Sequence, residues 1–140
     1  MANSRRPERL VVDANPILAA LMGGKARRIF FETTVQEFAA PEATIREVRG
    51  YIPRMALRLG FGRAVLENAL DLLPLTPYAE RSYRKSVAEA SDRIGSRDPK
   101  DIDVLALALH LGFPIWSNDR DFEDAGIGCF TAARLLAMFF

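Results

Sequence analysis

The sequence predicts an α/β fold, a three-layer α/β/α sandwich around a mostly parallel central sheet. Short apolar runs that suit buried strands alternate along the chain with longer segments of helical periodicity. Strand followed by helix followed by strand is the order that parallel pairing requires. With 140 residues and 49% hydrophobic content the chain can bury a core, and we expect residues 1–140 to form a single domain.

The first half of the chain predicts two strands and four helices. Arg9–Ala14 is a valine-rich run typical of a buried strand, and Asn15 is expected to cap a helix that Gly23 and Gly24 end. The next segments are predicted as a short helix, a short strand, a helix that Pro53 bends or divides, and a further helix: Lys25–Glu32, Gln36–Ala40, Pro41–Leu59 and Arg63–Leu72.

The second half predicts three more strands. Leu73–Thr76 is a brief extended segment, and Pro77 is expected to open one longer helix to Ile94. The loop Gly95–Asp98 then leads to a helix from Pro99 to Leu111. The last elements are predicted as a strand, a short helix or turn, a strand, and a helix capped by Thr131: Phe113–Ser117, Asp119–Ala125, Ile127–Phe130 and Thr131–Phe140.

The composition excludes several kinds of site. A net charge of +1 does not by itself indicate nucleic acid, so such a site would need uneven charge placement. The single cysteine, Cys129, fits a reducing compartment and lies in an apolar run that favours a buried hydrophobe over a nucleophile. The single histidine, His110, excludes a histidine-rich metal site. Residues 1–9 contain no apolar signal segment, and no stretch reaches the roughly 20 apolar residues that span a bilayer, so we expect a cytoplasmic protein.

Acidic residues stand where two predicted strands end. Asp13 ends the first strand, and Asp119 follows the strand Phe113–Ser117. Ligands of open α/β sheets bind at the carboxyl ends of the strands, so these two carboxylates are candidates for a site. The alternative for each is a helix N-cap. Asn15 is better placed than Asp13 for that role, and Asp121 could be a first-turn acid that the helix dipole favours.

Three more acids begin the helix that opens at Pro99. Asp98 is the expected N-cap, Asp101 lies in the first turn, and Asp103 points elsewhere. The helix dipole alone could account for them. From Val104 onward, however, the helix is almost entirely apolar, and acids on a buried helix need water, partners or a cation. Acids without histidine or cysteine favour Mg²⁺ or Mn²⁺ over Zn²⁺.

Four motifs in this order resemble the PIN-domain nucleases, which include the VapC-type toxins of bacteria and archaea: LVVDAN, IREVRGYI, DPKDIDVLALALHLG and PIWSNDRDF. The resemblance extends from Arg9 to the last helix. It implies cleavage of single-stranded RNA by water that Mg²⁺ or Mn²⁺ activates. By position it implies the catalytic set Asp13, Glu47, Asp101 and Asp119. Asp13, Asp101 and Asp119 would hold the metal, and Glu47 would complete the shell or orient the attacking water.

Further positions and partners belong to the same hypothesis. Around the acids we assign supporting positions to Asn15, Ser117, Asn118, Asp98, Asp103 and Asp121. RNA contacts are assigned to Arg46, Arg49 and Tyr51 on the helix of Glu47, with a solvated arginine-rich helix as the alternative. The resemblance also implies a homodimer and an antitoxin protein that covers the acids.

Three functions remain open at this point. The first is a VapC-like toxin that a cognate antitoxin holds inactive. The second is a PIN-fold RNA-binding or regulatory module with little catalysis, against which the full set of acids argues. The third is a housekeeping RNA-processing nuclease without an antitoxin. An upstream reading frame for a DNA-binding antitoxin would favour the first function, and a lone gene would favour the third.

Overall fold

The computed structural model describes residues 5–95 and 98–140 and has a three-layer α/β/α architecture. The five strands of its central sheet are β1 (Arg9–Val12), β2 (Glu37–Pro41), β3 (Leu75–Tyr78), β4 (Ile115–Trp116) and β5 (Cys129–Phe130). They lie in the order β3-β2-β1-β4-β5, and every neighbouring pair is parallel. The fold class predicted from the sequence is therefore confirmed.

Helices connect the strands and cover both faces of the sheet. In chain order they are α1 (Ala14–Leu21), α2 (Ala26–Glu32), α3 (Glu42–Leu59), α4 (Arg63–Leu72), α5 (Glu80–Tyr83), α6 (Val87–Ile94), α7 (Pro99–Leu111) and α8 (Ala132–Phe139). Two short 3₁₀ segments, Arg84–Ser86 and Arg120–Ala125, complete the connections in the described part of the chain.

Alternation along the central strand β1 divides the core into two layers. Leu10 and Val12 face a cluster that includes residues of α1 to α4 and α8, whereas Val11 faces a cluster built from α5, α6 and α7. Residues 104–108 of α7 are all buried, as the apolar run predicts. Because helices cover both of its faces, β1 is apolar at three successive positions.

The first helix begins earlier than predicted. Asp13, not Asn15, is the N-cap residue of α1, and its Oδ1 accepts a hydrogen bond from the backbone N–H of Ala14 at 2.8 Å. Pro16 is consequently the third residue of α1, and Asn15 lies exposed in its first turn. The cap prediction is wrong because Asp13, at the end of a buried strand, reaches the first free backbone donor before Asn15 can.

The single helix predicted for 77–94 is also wrong. The chain continues as β3 through Pro77 to Tyr78 and then forms α5, a 3₁₀ segment and α6. A proline is tolerated there because β3 is an edge strand of the sheet. Tyr83 ends α5 with a non-helical backbone (φ −117°, ψ 10°) and is buried, so tertiary packing divides the segment. Pro53, in contrast, lies inside α3 without dividing it.

Two of the predicted caps are confirmed. Asp98 accepts a hydrogen bond from the N–H of Lys100 at 3.0 Å, and Thr131 accepts one from the N–H of Arg134 at 3.2 Å. The predicted loop 95–98 includes residues 96 and 97, which lie outside the described residues, as do residues 1–4. None of the described helices has the length and apolar character needed to cross a bilayer.

Candidate active site

The candidate site lies where the strand order reverses. β2 and β3 lie on one side of β1, and β4 and β5 lie on the other. Val12 at the end of β1 is in register with Trp116 at the end of β4, so the residues that follow, Asp13 and Ser117, emerge side by side. The crevice beyond the carboxyl ends of strands at such a switch point is the usual ligand site of open α/β sheets.

Hydrogen bonds fix the orientation of Asp13. Its Oδ2 accepts a 2.7 Å bond from the Ser117 hydroxyl, while its Oδ1 accepts the N–H of Ala14. Ser117 is fully buried, and Asp13 is only 9% exposed. The Ser117 Oγ in turn accepts the N–H of Asp119 at 2.9 Å. One buried serine thus connects the acids that follow β1 and β4.

Three acids offer their oxygens at short range. Asp101, Asp119 and Asp121 each present a carboxylate oxygen, and these three oxygens all lie within 4.8 Å of one another. Oxygens on opposite sides of a Mg²⁺ or Ca²⁺ ion are separated by about 4 to 5 Å, so one hard cation fits this spacing. The structure therefore brings the predicted ligands Asp101 and Asp119 together, and it adds Asp121, which the sequence placed only in support.

Burial and neighbouring negative charges raise the pKa values of Asp101 and Asp13. Burial, followed by the negative charges of Asp13, Asp119, Asp98 and Asp121, raises the pKa of Asp101 to about 7. Burial also raises the pKa of Asp13, with smaller contributions from the charges of Asp119 and Asp98, while its bonds from Ser117 and Ala14 act in the opposite direction. A divalent cation would compensate this charge, so the donors present fit such an ion in number, type and electrostatics.

Glu47 of α3 lies at the rim of this acid group and is paired with a lysine. Its Oε2 lies 3.5 Å from the Nζ of Lys100, which stands one residue before Asp101. Burial raises the pKa of Glu47, Lys100 lowers it, and the charges of Asp13 and Asp98 raise it further. Sequence reasoning missed Lys100. The available signal was a lone basic residue within the acidic segment 98–103.

The remaining supporting positions do not all reach the acid group. Asp98 is exposed as the cap of α7, although its charge acts on Asp13, Asp101 and Glu47. Asp103 points elsewhere, as expected, and accepts a 2.8 Å bond from the Tyr83 hydroxyl. The Asn118 side chain accepts the N–H of Ala132 at 3.1 Å, so it is turned towards the start of α8. Asn15 is exposed on α1.

The three residues assigned to RNA contacts lie on two different surfaces. Arg46 and Tyr51 line a groove together with Glu47 and Lys100. Arg49 instead forms an ion pair with Asp71 of α4 at 3.1 Å and lines a separate depression. Arg46 and Arg49 are three residues apart, but the packing of α3 against α4 places Arg49 away from the groove.

The single histidine and cysteine take no position among the acids. His110 is exposed in the last turn of α7. Cys129 is half-buried on β5, and burial, with nearby negative charge, raises the pKa of its thiol to about 11. A thiol that stays protonated at neutral pH is a poor nucleophile and a poor metal ligand.

Comparison with protein families decides the relationship. A family model described as the PIN domain matches residues 11–139. The chain belongs to the PIN-domain family. PIN domains are generally nucleases and typically use divalent metals, and this PIN domain has its acid group at the switch point of the sheet. A comparison with curated proteins gives no match.

Proposed function

We propose that this PIN domain is a divalent-metal-dependent endoribonuclease that cleaves single-stranded RNA. The observation that carries the proposal is the approach of the carboxylate oxygens of Asp101, Asp119 and Asp121 to within 4.8 Å of one another. Asp13 lies beside them, and its charge is the largest electrostatic contribution to the raised pKa of Asp101 after burial. Asp13 and Asp101 are buried, and a buried carboxylate is costly to ionise unless a cation or another partner compensates it.

Asp13, Asp101 and Asp119, with Asp121, would hold the metal in this proposal. The donors of these four residues are carboxylate oxygens, which suit Mg²⁺ or Mn²⁺ better than Zn²⁺. When bound, such an ion polarises the phosphate and makes a coordinated water more acidic. The carboxylate of Asp13 is already oriented, because one of its oxygens accepts a hydrogen bond from Ser117 and the other accepts one from Ala14.

Glu47 would orient the attacking water from the rim of the site. Lys100, whose Nζ lies 3.5 Å from the Glu47 Oε2, offsets the charge of this carboxylate. Because Lys100 is exposed, its ammonium group can also reach a substrate phosphate. In this arrangement a residue of α3 orients the water, and the metal ligands come from α7 and from the segments that follow β1 and β4.

The same proposal includes a biological setting, namely the toxin of a toxin–antitoxin pair that acts in the cytoplasm as a homodimer. The resemblance to the VapC-type toxins supports the toxin role, and the single cysteine supports a reducing compartment. Large apolar side chains exposed outside the acid group support a protein partner: Phe31, Leu57 and Leu72.

The direct test is cleavage of labelled single-stranded RNA by the purified protein. We expect cleavage with Mn²⁺ or Mg²⁺, its loss in excess EDTA, and its recovery when metal is restored, because the proposed role of the acids is to hold the ion that activates water. A base-paired RNA of the same sequence serves as the comparison substrate. If the protein cleaves no RNA above the metal-free control, the catalytic proposal fails and the binding-module alternative takes its place.

A second experiment addresses the toxin role. Induced expression of the wild-type chain should arrest growth, and expression of the Asp13→Asn chain to the same level should not. If the wild-type chain cleaves RNA in vitro but its expression does not arrest growth, the result would instead support the housekeeping nuclease.

A further inference from the structure

A groove runs along α3 and opens beside Glu47 and Lys100, at the rim of the acid group. It consists of two adjacent depressions that share Tyr51 and Arg54. The first opens beside Glu47 and Lys100, and the second is mostly apolar. We call the two together the α3 groove. Besides the shared pair, Arg46, Glu47 and Lys100 line the first part, and Met22, Met55 and Arg58 line the second.

Four residues of the α3 groove form one stripe on the helix. Glu47, Tyr51, Arg54 and Arg58 are spaced by four, three and four residues, which places them on the same face of α3. At 1.5 Å per residue, the stripe is about 16 Å long from Glu47 to Arg58. One end of it is at the rim of the acid group, so the groove continues the candidate active site along the surface.

Positive charge exceeds negative charge in the α3 groove. Arg46, Arg54 and Lys100 line its first part, where Glu47 is the only acid among the described residues of the lining. Lys100 already offsets the charge of Glu47, which leaves the arginines as excess positive charge. Arg58 adds a further cation in the second part. A net charge of +1 for the whole chain therefore conceals a cationic groove beside the acids.

The groove also offers apolar surface at the level of its cations. The Arg54 guanidinium lies 5.7 Å from the centroid of the half-buried Tyr51 ring. Met22, which is 54% exposed, and Met55 line the second part. An aromatic ring and apolar side chains between cations suit unstacked bases with phosphates on either side, and they offer nothing to a duplex whose bases are enclosed.

We propose that a single strand of nucleic acid leaves the acid group along the α3 groove. This inference rests on the proposed function. Arg54 and Arg58 contact successive phosphates, a base stacks on Tyr51, and the surface of Met22 and Met55 receives a further base. An acidic protein segment would match the same charges. The strand is favoured because the groove opens at Glu47, close enough to the acid group for the charge of Asp13 to act on it, and a chain held at the acids must continue over the adjoining surface.

Equilibrium binding of labelled oligoribonucleotides tests the path without the need for turnover. Fluorescence anisotropy is measured on Asp13→Asn protein with oligonucleotides of about four and about twelve nucleotides, which bracket typical single-strand sites. Adding Arg54→Gln and Arg58→Gln should weaken binding of the longer strand about tenfold or more and lower the salt slope by about 0.7 for each lost phosphate contact. Tyr51→Leu should weaken it about tenfold through lost stacking. The shorter strand, held nearer the acids, should respond less.

Arg63→Gln is the matched control, since Arg63 is an exposed arginine that lines neither part of the groove. If the Arg54 and Arg58 variants bind the longer strand like the control, or if both strands lose affinity equally, the path is wrong and the groove serves a protein partner or general attraction. Wild-type cleavage is measured in parallel. If the wild type cleaves nothing, the proposed function fails, while the binding data still decide the path.

Discussion

The Asp13→Asn variant should lose metal-dependent RNA cleavage by more than about 100-fold, since disturbing even the outer partners of a metal site costs 10- to 100-fold. Asp13 is buried beside the acid oxygens and held on both sides by Ser117 and Ala14. An amide of the same shape removes one negative charge from this group and replaces one acceptor oxygen with a donor. We therefore expect weaker metal binding and a misaligned acid group at unchanged protein volume.

The fold of this variant should survive, because the substitution also removes a carboxylate that burial disfavours, and this offsets part of the lost hydrogen bonding. Circular dichroism and thermal unfolding check this point alongside the cleavage rate. Asp92→Asn, at an exposed position on α6, is the control for a change of charge alone. Cleavage by Asp13→Asn at the wild-type rate would remove Asp13 from the site.

Asp101→Asn should stabilise the metal-free protein at alkaline pH. The pKa of Asp101 is about 7 in the folded chain and 3.8 in its ordinary state, so folding favours the protonated form. Its contribution to stability is present in full below about pH 4 and is lost as pH rises through about 7. At pH 8 in EDTA, the asparagine variant should gain about 1 to 2 kcal/mol in free energy of unfolding, and near pH 4 the gain should vanish.

Denaturant unfolding at the two pH values measures this effect, and Asp103→Asn is the matched control. Asp103 lies two residues further along α7 but accepts a hydrogen bond from Tyr83 and is outside the acid oxygens. Its substitution by asparagine should bring no comparable gain. Saturating Mn²⁺ should reverse the order and stabilise the wild type more than Asp101→Asn, because the cation binds the ionised acid. An Asp101→Asn protein less stable than the wild type at pH 8 in EDTA would refute the claim that burial and neighbouring acids disfavour the ionised form of Asp101.

The part of the site at the carboxyl ends of β1 and β4 was predictable from local sequence. Asp13 follows a run of buried apolar residues and Asp119 follows another, and parallel strands end at the same edge of a sheet. The cap of α7 at Asp98 follows equally from local chemistry, because an aspartate before a proline suits a helix start. Features of this kind depend on a few neighbouring residues.

Other parts of the site depend on distant contacts. The Glu47–Lys100 pair joins α3 to α7, and no local pattern on either helix reveals its partner. Asp121 joins the oxygens of Asp101 and Asp119 because a short 3₁₀ segment after β4 turns back towards the start of α7. Likewise, Ser117 reaches Asp13 across 104 positions of the chain.

The fold shows the same division between local and tertiary causes. Pro77 suits a helix start, and local propensity predicts one there. Pairing of β3 with β2 at the sheet edge overrides that propensity and extends the strand through Pro77 to Tyr78. The N-cap of α1 is Asp13 and not the predicted Asn15 for a related reason, since the end of β1 fixes where Asp13 lies before the helix begins.

Calorimetric titration of the purified protein with Mn²⁺ at pH 8 tests most directly whether the acids hold a cation. We expect saturable binding to the wild type, unchanged binding to Asp92→Asn, and affinity at least about tenfold weaker for Asp119→Asn, whose oxygen lies within 4.8 Å of those of Asp101 and Asp121. A wild-type protein that shows no saturable Mn²⁺ binding, or an Asp119→Asn protein that binds Mn²⁺ as tightly as the wild type, would contradict the account.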